Sequence, residues 1–340
     1  MSWLTKFRHT AFRRLDAACI FTVAIALSGC MTDRKILSIG LASSTPEGRA
    51  LAFLTREVPL WSKENHCFSC HNNGDAARAL YTASRRSYPV PKQALVETSA
   101  WLAKPGQWAN NRGNPSFSDK RLARIQFAAA LVTATEAGHV RDPGALVKAA
   151  ELVAECQDQD GAWRLDASES LGAPATYGTY LITSVALQTL RAARLDRFRE
   201  RIQEAERWVR RAPVQNVLEA AAILLALNTS HDPQAHSQRM QCFRLIQQGQ
   251  SDGGGWGPYL SSQPEPFDSA VVLLALSNGP QDAQVAEQTR RGRNFLLGQQ
   301  QADGSWKETT RPPGGESYAE RLSTTGWAAL ALLATKPSER

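Results

Sequence analysis

The chain has 340 residues, 43% of them hydrophobic and 21% charged, with a formal net charge of +7. That composition excludes a disordered or low-complexity chain, and the length is enough for one large domain or two modest ones with a buried core. Basic residues are spread along the sequence, with no Lys/Arg run interleaved with aromatics, which excludes a nucleic-acid footprint; at most, the mild positive charge favours an anionic membrane surface.

A basic stretch ending at Arg14 opens the chain, and Ala17 to Leu27 follows as a mostly apolar run. That run has the length of a signal-peptide core and is too short to span a bilayer. It ends in Leu27-Ser28-Gly29-Cys30, which resembles the lipobox of bacterial lipoproteins. The resemblance implies a signal peptide over 1–29, acylation of Cys30, and a linker over 30–45. The protein would then be held by lipid in a bacterial cell envelope, facing the periplasm, with the membrane as its first partner. Met31 stands where an inner-membrane retention signal would carry Asp, so the outer membrane is favoured.

The first helix is expected over 46–61, and "DAARALYTASRR" reads as its packing partner. Between them, "ENHCFSCHNNG" (64–74) holds Cys67-x-x-Cys70-His71. Three chemistries fit this spacing. In c-type haem attachment the two thiols bond the porphyrin vinyl groups and His71 ligates the iron. A redox disulfide is the second, although no thioredoxin-like βαβ unit surrounds the motif. Zinc held by Cys67, Cys70 and His71 or His66 is the third, but no second CxxC completes such a site. The run C-x-x-C-H-x-x-G, ending at Gly74, resembles cytochromes c, and haem c is therefore the expected cofactor. A sixth iron ligand would have to come from His139, His231, His236 or Met240. Cys156 and Cys242 lie in helical patterns and read as buried hydrophobes, with a bridge between them left open.

Beyond the motif the chain repeats. The loops "QDQDGAW", "QSDGGGW" and "QQADGSW" align on Trp163, Trp256 and Trp306, which places Gln157, Gln250 and Gln300 at one offset and Gly161, Gly254 and Gly304 at another. An amphipathic helix precedes each loop and a helix apolar nearly all round follows it, so the helices should form an outer, half-wet layer and an inner, buried one. Weaker copies around Trp61, Trp108 and Trp208 extend the series to about six helical hairpins. Six such hairpins can curl until the last buries the first. An all-α, closed (α/α)6 toroid over 46–335 is the expected architecture, with 336–340 as a tail.

"RGRNFLLGQQQADGSW" (291–306) resembles a full QW motif of the squalene-hopene and oxidosqualene cyclases, and the loops ending at Trp163 and Trp256 match its second half. The resemblance covers roughly 46–335 and implies the terpenoid-cyclase/prenyltransferase toroid. It also implies that the motif's glutamines tie into a neighbouring helix end and that its tryptophans stack over them, as structural glue.

Activity is less legible. Squalene-hopene cyclases carry a D-x-D-D stretch whose aspartic acid protonates an alkene, and this chain has none; Asp158 and Asp160 belong to a QW loop. Aligning the apolar helices puts Glu219 and Asp268 at one inner position, where two carboxylates can do acid–base work if burial raises a pKa. Alternatively, Asp268, which starts a helix after Pro266, simply complements the helix dipole in the first turn. The leading reading is a lipid-anchored envelope protein with a haem-like site at the toroid rim. Its role would be redox or ligand binding, with a redox protein or an apolar small molecule in the central cavity as partner. The rivals are an isoprenoid or triterpene cyclase with a diverged acid, and a non-catalytic scaffold with a Cys67–Cys70 disulfide.

Overall fold

The computed structural model describes residues 44–114, 120–165, 171–227, 232–233, 235–279 and 282–337. Residues 1–29, where a signal peptide is expected, and Cys30 lie outside them. Twelve α-helices follow in chain order among the described residues: α1 (Pro46–Asn65), α2 (Ala77–Arg85), α3 (Val96–Leu102), α4 (Lys120–Glu136), α5 (Pro143–Ala154) and α6 (Gly178–Ala193). They continue with α7 (Arg199–Arg211), α8 (Val217–Leu227), α9 (Ala235–Gln248), α10 (Pro266–Ser277), α11 (Ala283–Gln299) and α12 (Tyr318–Ala334). A π-helical segment, Cys70–Ala76, leads into α2.

The even-numbered helices form a ring in which each packs on the next, and α12 packs back on α2. The odd-numbered helices cover that ring from outside. This is the closed toroid of six hairpins that the sequence requires, and its physical cause is the division of apolar surface. Within α8, every residue except Glu219 and Leu225 is buried, whereas in α7 only Ala205 and Val209 are. A helix apolar all round has to be covered on every side, and only the inner layer offers that.

The QW loops join the layers through both the indole and the glutamine amide. Each indole Nε1–H donates to a carbonyl in the last turn of the outer helix before it: Trp163 to Val153, Trp256 to Ile246 and Trp306 to Leu296, all at 2.8 Å. Last-turn carbonyls have no partner within the helix, so the indole is the group that caps the helix end. The glutamine amide instead bridges forward. Gln157 donates to Gly161 O and to Arg201 O on α7, and Gln250 donates to Gly254 O and to Gln288 O on α11. Gln300 donates to Gly304 O and to Pro46 O on α1, tying the last hairpin to the first. Trp108 donates to Trp101 O in the same way, without a glutamine. Trp61 and Trp208 are not loop residues; they lie within α1 and α7, where Trp61 stacks on Tyr318 and Trp208 meets Tyr180 at a tilt.

The QW glycines answer to this bridge. Gly161, Gly254 and Gly304 have φ of +95°, +90° and +92°, and a Cβ on each would lie 2.4, 2.6 and 2.3 Å from the carbonyl oxygens of Glu204, Arg291 and Arg49. Each of those carbonyls stands three residues beyond the one the glutamine reaches. The loop therefore lies flat on the next outer helix, at a distance no side chain allows.

Gly314 isolates that contact, because it has φ +98° but a Cβ there meets nothing within 4 Å. Gly304→Ala is expected to destabilise the protein by about 1–3 kcal/mol more than Gly314→Ala, the cost of overpacking against the Arg49 carbonyl. Urea unfolding of the two variants checks this; equal losses would mean that backbone strain, not ring contact, fixes the glycine.

Candidate functional site

The CxxCH segment does not end at its histidine. Ser69 caps the π-helical segment, its hydroxyl accepting from His71 N and Asn72 N, and the chain then buries Asn72, Asn73, Gly74 and Asp75 in succession. Asn72 donates to Glu57 O and Tyr318 Oη, and Asn73 donates to Val58 O and Thr98 Oγ1. Local π-helical winding of this kind is found at functional sites more often than elsewhere. Gly326 lets α12 press against the segment, since a Cβ there would lie 3.0 Å from Asp75 O.

Asp75 arrives at the centre of the ring, and three donors converge on its carboxylate. Tyr177 Oη–H donates to Oδ1, while Ser323 Oγ and Gln126 Nε2 donate to Oδ2 at 2.8 Å each. Those residues come from the start of α6, from α12 and from α4, so one carboxylate is shared by four hairpins. Tyr177 reaches it from a backbone with φ +60°, an uncommon conformation for a bulky residue and one that holds only where the surroundings impose it. Burial pushes Asp75 up to about 6 against the opposing pull of Arg78 and its hydrogen bonds. His71 closes the chain: its Nδ1 is 3.0 Å from Ser323 Oγ, and burial lowers it to about 4, so the ring is neutral at pH 7.

A second carboxylate lies beyond an aromatic partition. Trp327 meets Tyr177 edge-on at 5.6 Å and Phe267 at 5.9 Å, and Phe267 precedes Asp268. Asp268 is fully buried. Its Oδ2 accepts from Arg311 at 2.5 Å, while its Oδ1 is buried with no hydrogen-bond partner among the described residues. Burial raises its pKa, the Arg311 guanidinium opposes the rise, and the neighbouring Glu265 carboxylate adds to it. Arg311 also binds Glu265 at 3.0 Å and donates to Gly172 O. Glu320, pushed up to about 7 mainly by burial, accepts from Ala175 N.

Glu219, Asp268 and Glu320 each occupy the third position of their helices, as the alignment of the first two requires. Their surroundings differ. Glu219 accepts from Gln215 N while Asn216 Oδ1 accepts from Glu219 N, a reciprocal cap, so the structure gives Glu219 a helix-terminal role and not a chamber one. It lines a cavity of about 530 Å³ together with Tyr177, Tyr180, Trp208 and Tyr259. Asp268 lies in the first turn of α10 and also gives its Oδ2 to Arg311. Asp75 and Glu320 were missed in the sequence. The alignment of inner-helix starts, extended to "SYAERL" and "NNGDAARAL", contains the signal for both.

Cys67, Cys70, Cys156 and Cys242 are free thiols in the structure. Cys67 is buried, with its Sγ 3.6 Å from Asn114 Nδ2. No group of three or more His, Cys, Asp or Glu side chains converges as a metal site among the described residues, so the zinc reading finds no support. The donor set does suit a c-type haem in kind: two unbridged thiols and a neutral imidazole whose Nδ1 is already engaged. Of the proposed sixth ligands, His139 binds Ser84 at the far end of α2, Met240 is exposed on the outer helix α9, and His236 lies on α9 as well. His231 lies outside the described residues.

No family model matches the chain, and neither does any curated relative. Solved structures do resemble it. A substituted form of the type II terpene cyclase MstE from Scytonema, in complex with geranylgeranyl dihydroxybenzoate (substrate), superposes with a TM-score of 0.60 at 14% identity, over 88% of this chain and 99% of that one. The ent-copalyl diphosphate synthase from Streptomyces platensis gives 0.52 at 17%, over 78% of this chain and 51% of that one. A wild-type glycosidase gives 0.54 at 13%, over 91% and 100%. Identities this low establish a terpenoid-cyclase-like α/α toroid and nothing finer.

The opposite shifts of His71 and Asp75 predict a compensated pH response. Between about 4 and 6 native Asp75 holds a proton that the unfolded chain has lost, so its stabilising contribution falls as pH rises; between about 4 and 6.5 native His71 lacks a proton that the unfolded chain holds, so its contribution rises. Relative to wild type, Asp75→Asn should therefore gain stability with rising pH across this window, and His71→Gln should lose it. Each change should amount to at most about 3 kcal/mol. Urea unfolding at pH 4 to 7 measures it, and parallel curves for all three proteins would refute the assignment.

Proposed function

We propose that the protein is a type II cyclase-like acid catalyst, acting on an apolar isoprenoid within the toroid, with Asp268 as proton donor. The observation that carries this is the asymmetry of one buried carboxyl group. Oδ2 is held by Arg311, while Oδ1 accepts from no donor among the described residues, and burial together with the Glu265 carboxylate beside Asp268 favours its protonated form. A protonated Oδ1 is then free to give its proton to a carbon–carbon double bond, and Arg311 stabilises the carboxylate left behind. The electron pair of a second double bond closes the new carbon–carbon bond on the cation. Loss of a proton from carbon ends the sequence, so the net change is an isomerisation that needs no oxidant. The faces of Tyr177, Phe267 and Trp327 suit a passing carbocation, because aromatic quadrupoles attract positive charge. The Scytonema structure holds a geranylgeranyl chain in a toroid of this type, and a polyprenyl substrate is the class favoured here. A lipid on Cys30 would keep the protein at the membrane, where such molecules partition.

Asp268→Asn is expected to reduce conversion of a polyprenyl probe such as geranylgeraniol at least 10²-fold, the scale of a lost general acid. Product formation and deuterium incorporation from D₂O provide the measurement. Conversion by the variant at the wild-type rate would end this reading.

His71 favours a second reading. Its engaged Nδ1 leaves Nε2 as the ligating nitrogen, and metal-bound histidines commonly donate their other N–H in this way. Cys67 and Cys70 would hold the haem edge and His71 its iron, and the group would supply a one-electron couple to a redox partner in the envelope. Expressed with haem-attachment machinery, the protein should show a Soret band that survives denaturation and is lost in Cys67→Ala/Cys70→Ala. A colourless protein removes this reading and leaves the acid.

A further inference from the structure

We propose that the cavity beside Glu219 binds a small organic cation, a trimethylammonium head group, between the faces of Tyr180, Trp208 and Tyr259. The inference goes beyond the acid chemistry of Asp268 and does not depend on it. The cavity measures about 530 Å³, within the range of about 300–1,000 Å³ in which small molecules bind. Its aromatic walls come from three hairpins: Tyr180 from α6, Trp208 from α7 and Tyr259 from the loop before α10.

The walls are fixed in place. Tyr180 Oη donates to Pro213 O, so its ring is held at the edge. Trp208 meets Tyr180 at 5.2 Å with a 57° tilt, and the two rings form a corner rather than a flat stack. Pro258 O accepts from Val217 N at 2.9 Å, which pins the segment carrying Tyr259 onto the start of α8. Tyr259 itself is 51% exposed and stands at the mouth.

The charge in this corner is negative. The helix cap of Glu219 uses Oε2 alone, at 2.8 Å from Gln215 N, and no basic side chain among the described residues pairs with the carboxylate. Arg164, a cationic side chain in the same wall, is already taken by Asp158 at 3.2 Å and Asp160 at 2.5 Å. Burial first, and the Glu219 charge second, push the Tyr180 hydroxyl up to about 12, so the field of the carboxylate reaches the aromatic corner. Ring faces attract cations through their quadrupoles, and Glu219 adds a full negative charge. A sugar would use the rings but leave that charge uncompensated. A primary ammonium holds its water strongly and asks for three acceptors, whereas a methylated one is suited to aromatic faces. Free choline and the head group of a choline phospholipid share this chemistry.

Calorimetric titration of the full chain tests the site without turnover, so a failed Asp268 assay leaves the result standing. The ligands are choline, dihexanoylphosphatidylcholine below its micelle concentration, ethanolamine, and the uncharged alcohol in which carbon replaces the choline nitrogen. At least one trimethylammonium ligand is expected to bind about tenfold more tightly than the uncharged alcohol, and more tightly than ethanolamine. The tighter of the two separates a free from a lipid-borne source. Glu219→Gln keeps an oxygen for Gln215 N but removes the charge, and should weaken binding about tenfold; Tyr259→Leu removes one exposed ring face and should weaken it about fivefold. The uncharged alcohol or ethanolamine binding as tightly as the trimethylammonium ligands, no binding of either of those, or an affinity unchanged in either variant would each overturn the proposal. Should Glu219→Gln fail to fold, the unaltered protein and Tyr259→Leu still decide.

Discussion

The bridge from a loop glutamine to the next outer helix is the interaction on which the toroid depends. Helical hairpins with one wet and one dry member can stack in many ways, and an open stack exposes two apolar ends. The amide fixes the step between neighbours by taking two carbonyls at once, one in its own loop and one across the gap. When Gln300 makes the same connection to Pro46, the stack becomes a ring and both ends disappear. Each bridge is modest in net energy. Its weight lies in geometry, because the glycine two residues before each tryptophan permits no other spacing.

A closed ring gathers residues that are remote in sequence. Asp75, Gln126, Tyr177 and Ser323 come from four hairpins and meet only because the sixth lies beside the first. The same closure lets Arg311 join the start of α10 to the loop at Gly172. This buried polar cluster is thus a product of the repeat, yet its residues are those that break the repeat: a π-helical segment, a left-handed tyrosine, buried charges.

That contrast explains what was legible in the sequence. The repeat could be read because its tryptophans, glutamines and glycines recur at fixed offsets, each doing the same local job. Asp268 was visible by the same route, through its register with Glu219. Which of the two is buried against an arginine was not, because the difference lies in Arg311 and Asn216, one distant in sequence and one a common helix-cap residue. Asp75 escaped notice for another reason: the adjacent CxxCH drew attention to its own chemistry, although its histidine is bonded through Ser323 to that carboxylate. The aromatic corner beside Glu219 had no sequence signature, since Tyr180, Trp208 and Tyr259 belong to three hairpins and meet only in the folded ring.

Arg293 touches both ends of the fold, pairing with Glu47 at the start of α1 and donating to Leu332 O near the end of α12. First and last helices are therefore neighbours like any other two, and the ring has no privileged beginning. Joining 335 to 46 through a short linker and opening the chain at another hairpin boundary would leave every bridge in place, as the natural ends already leave the one from Gln300 to Pro46. The order in which the hairpins are synthesised is then a matter of descent, and the architecture admits circular permutation.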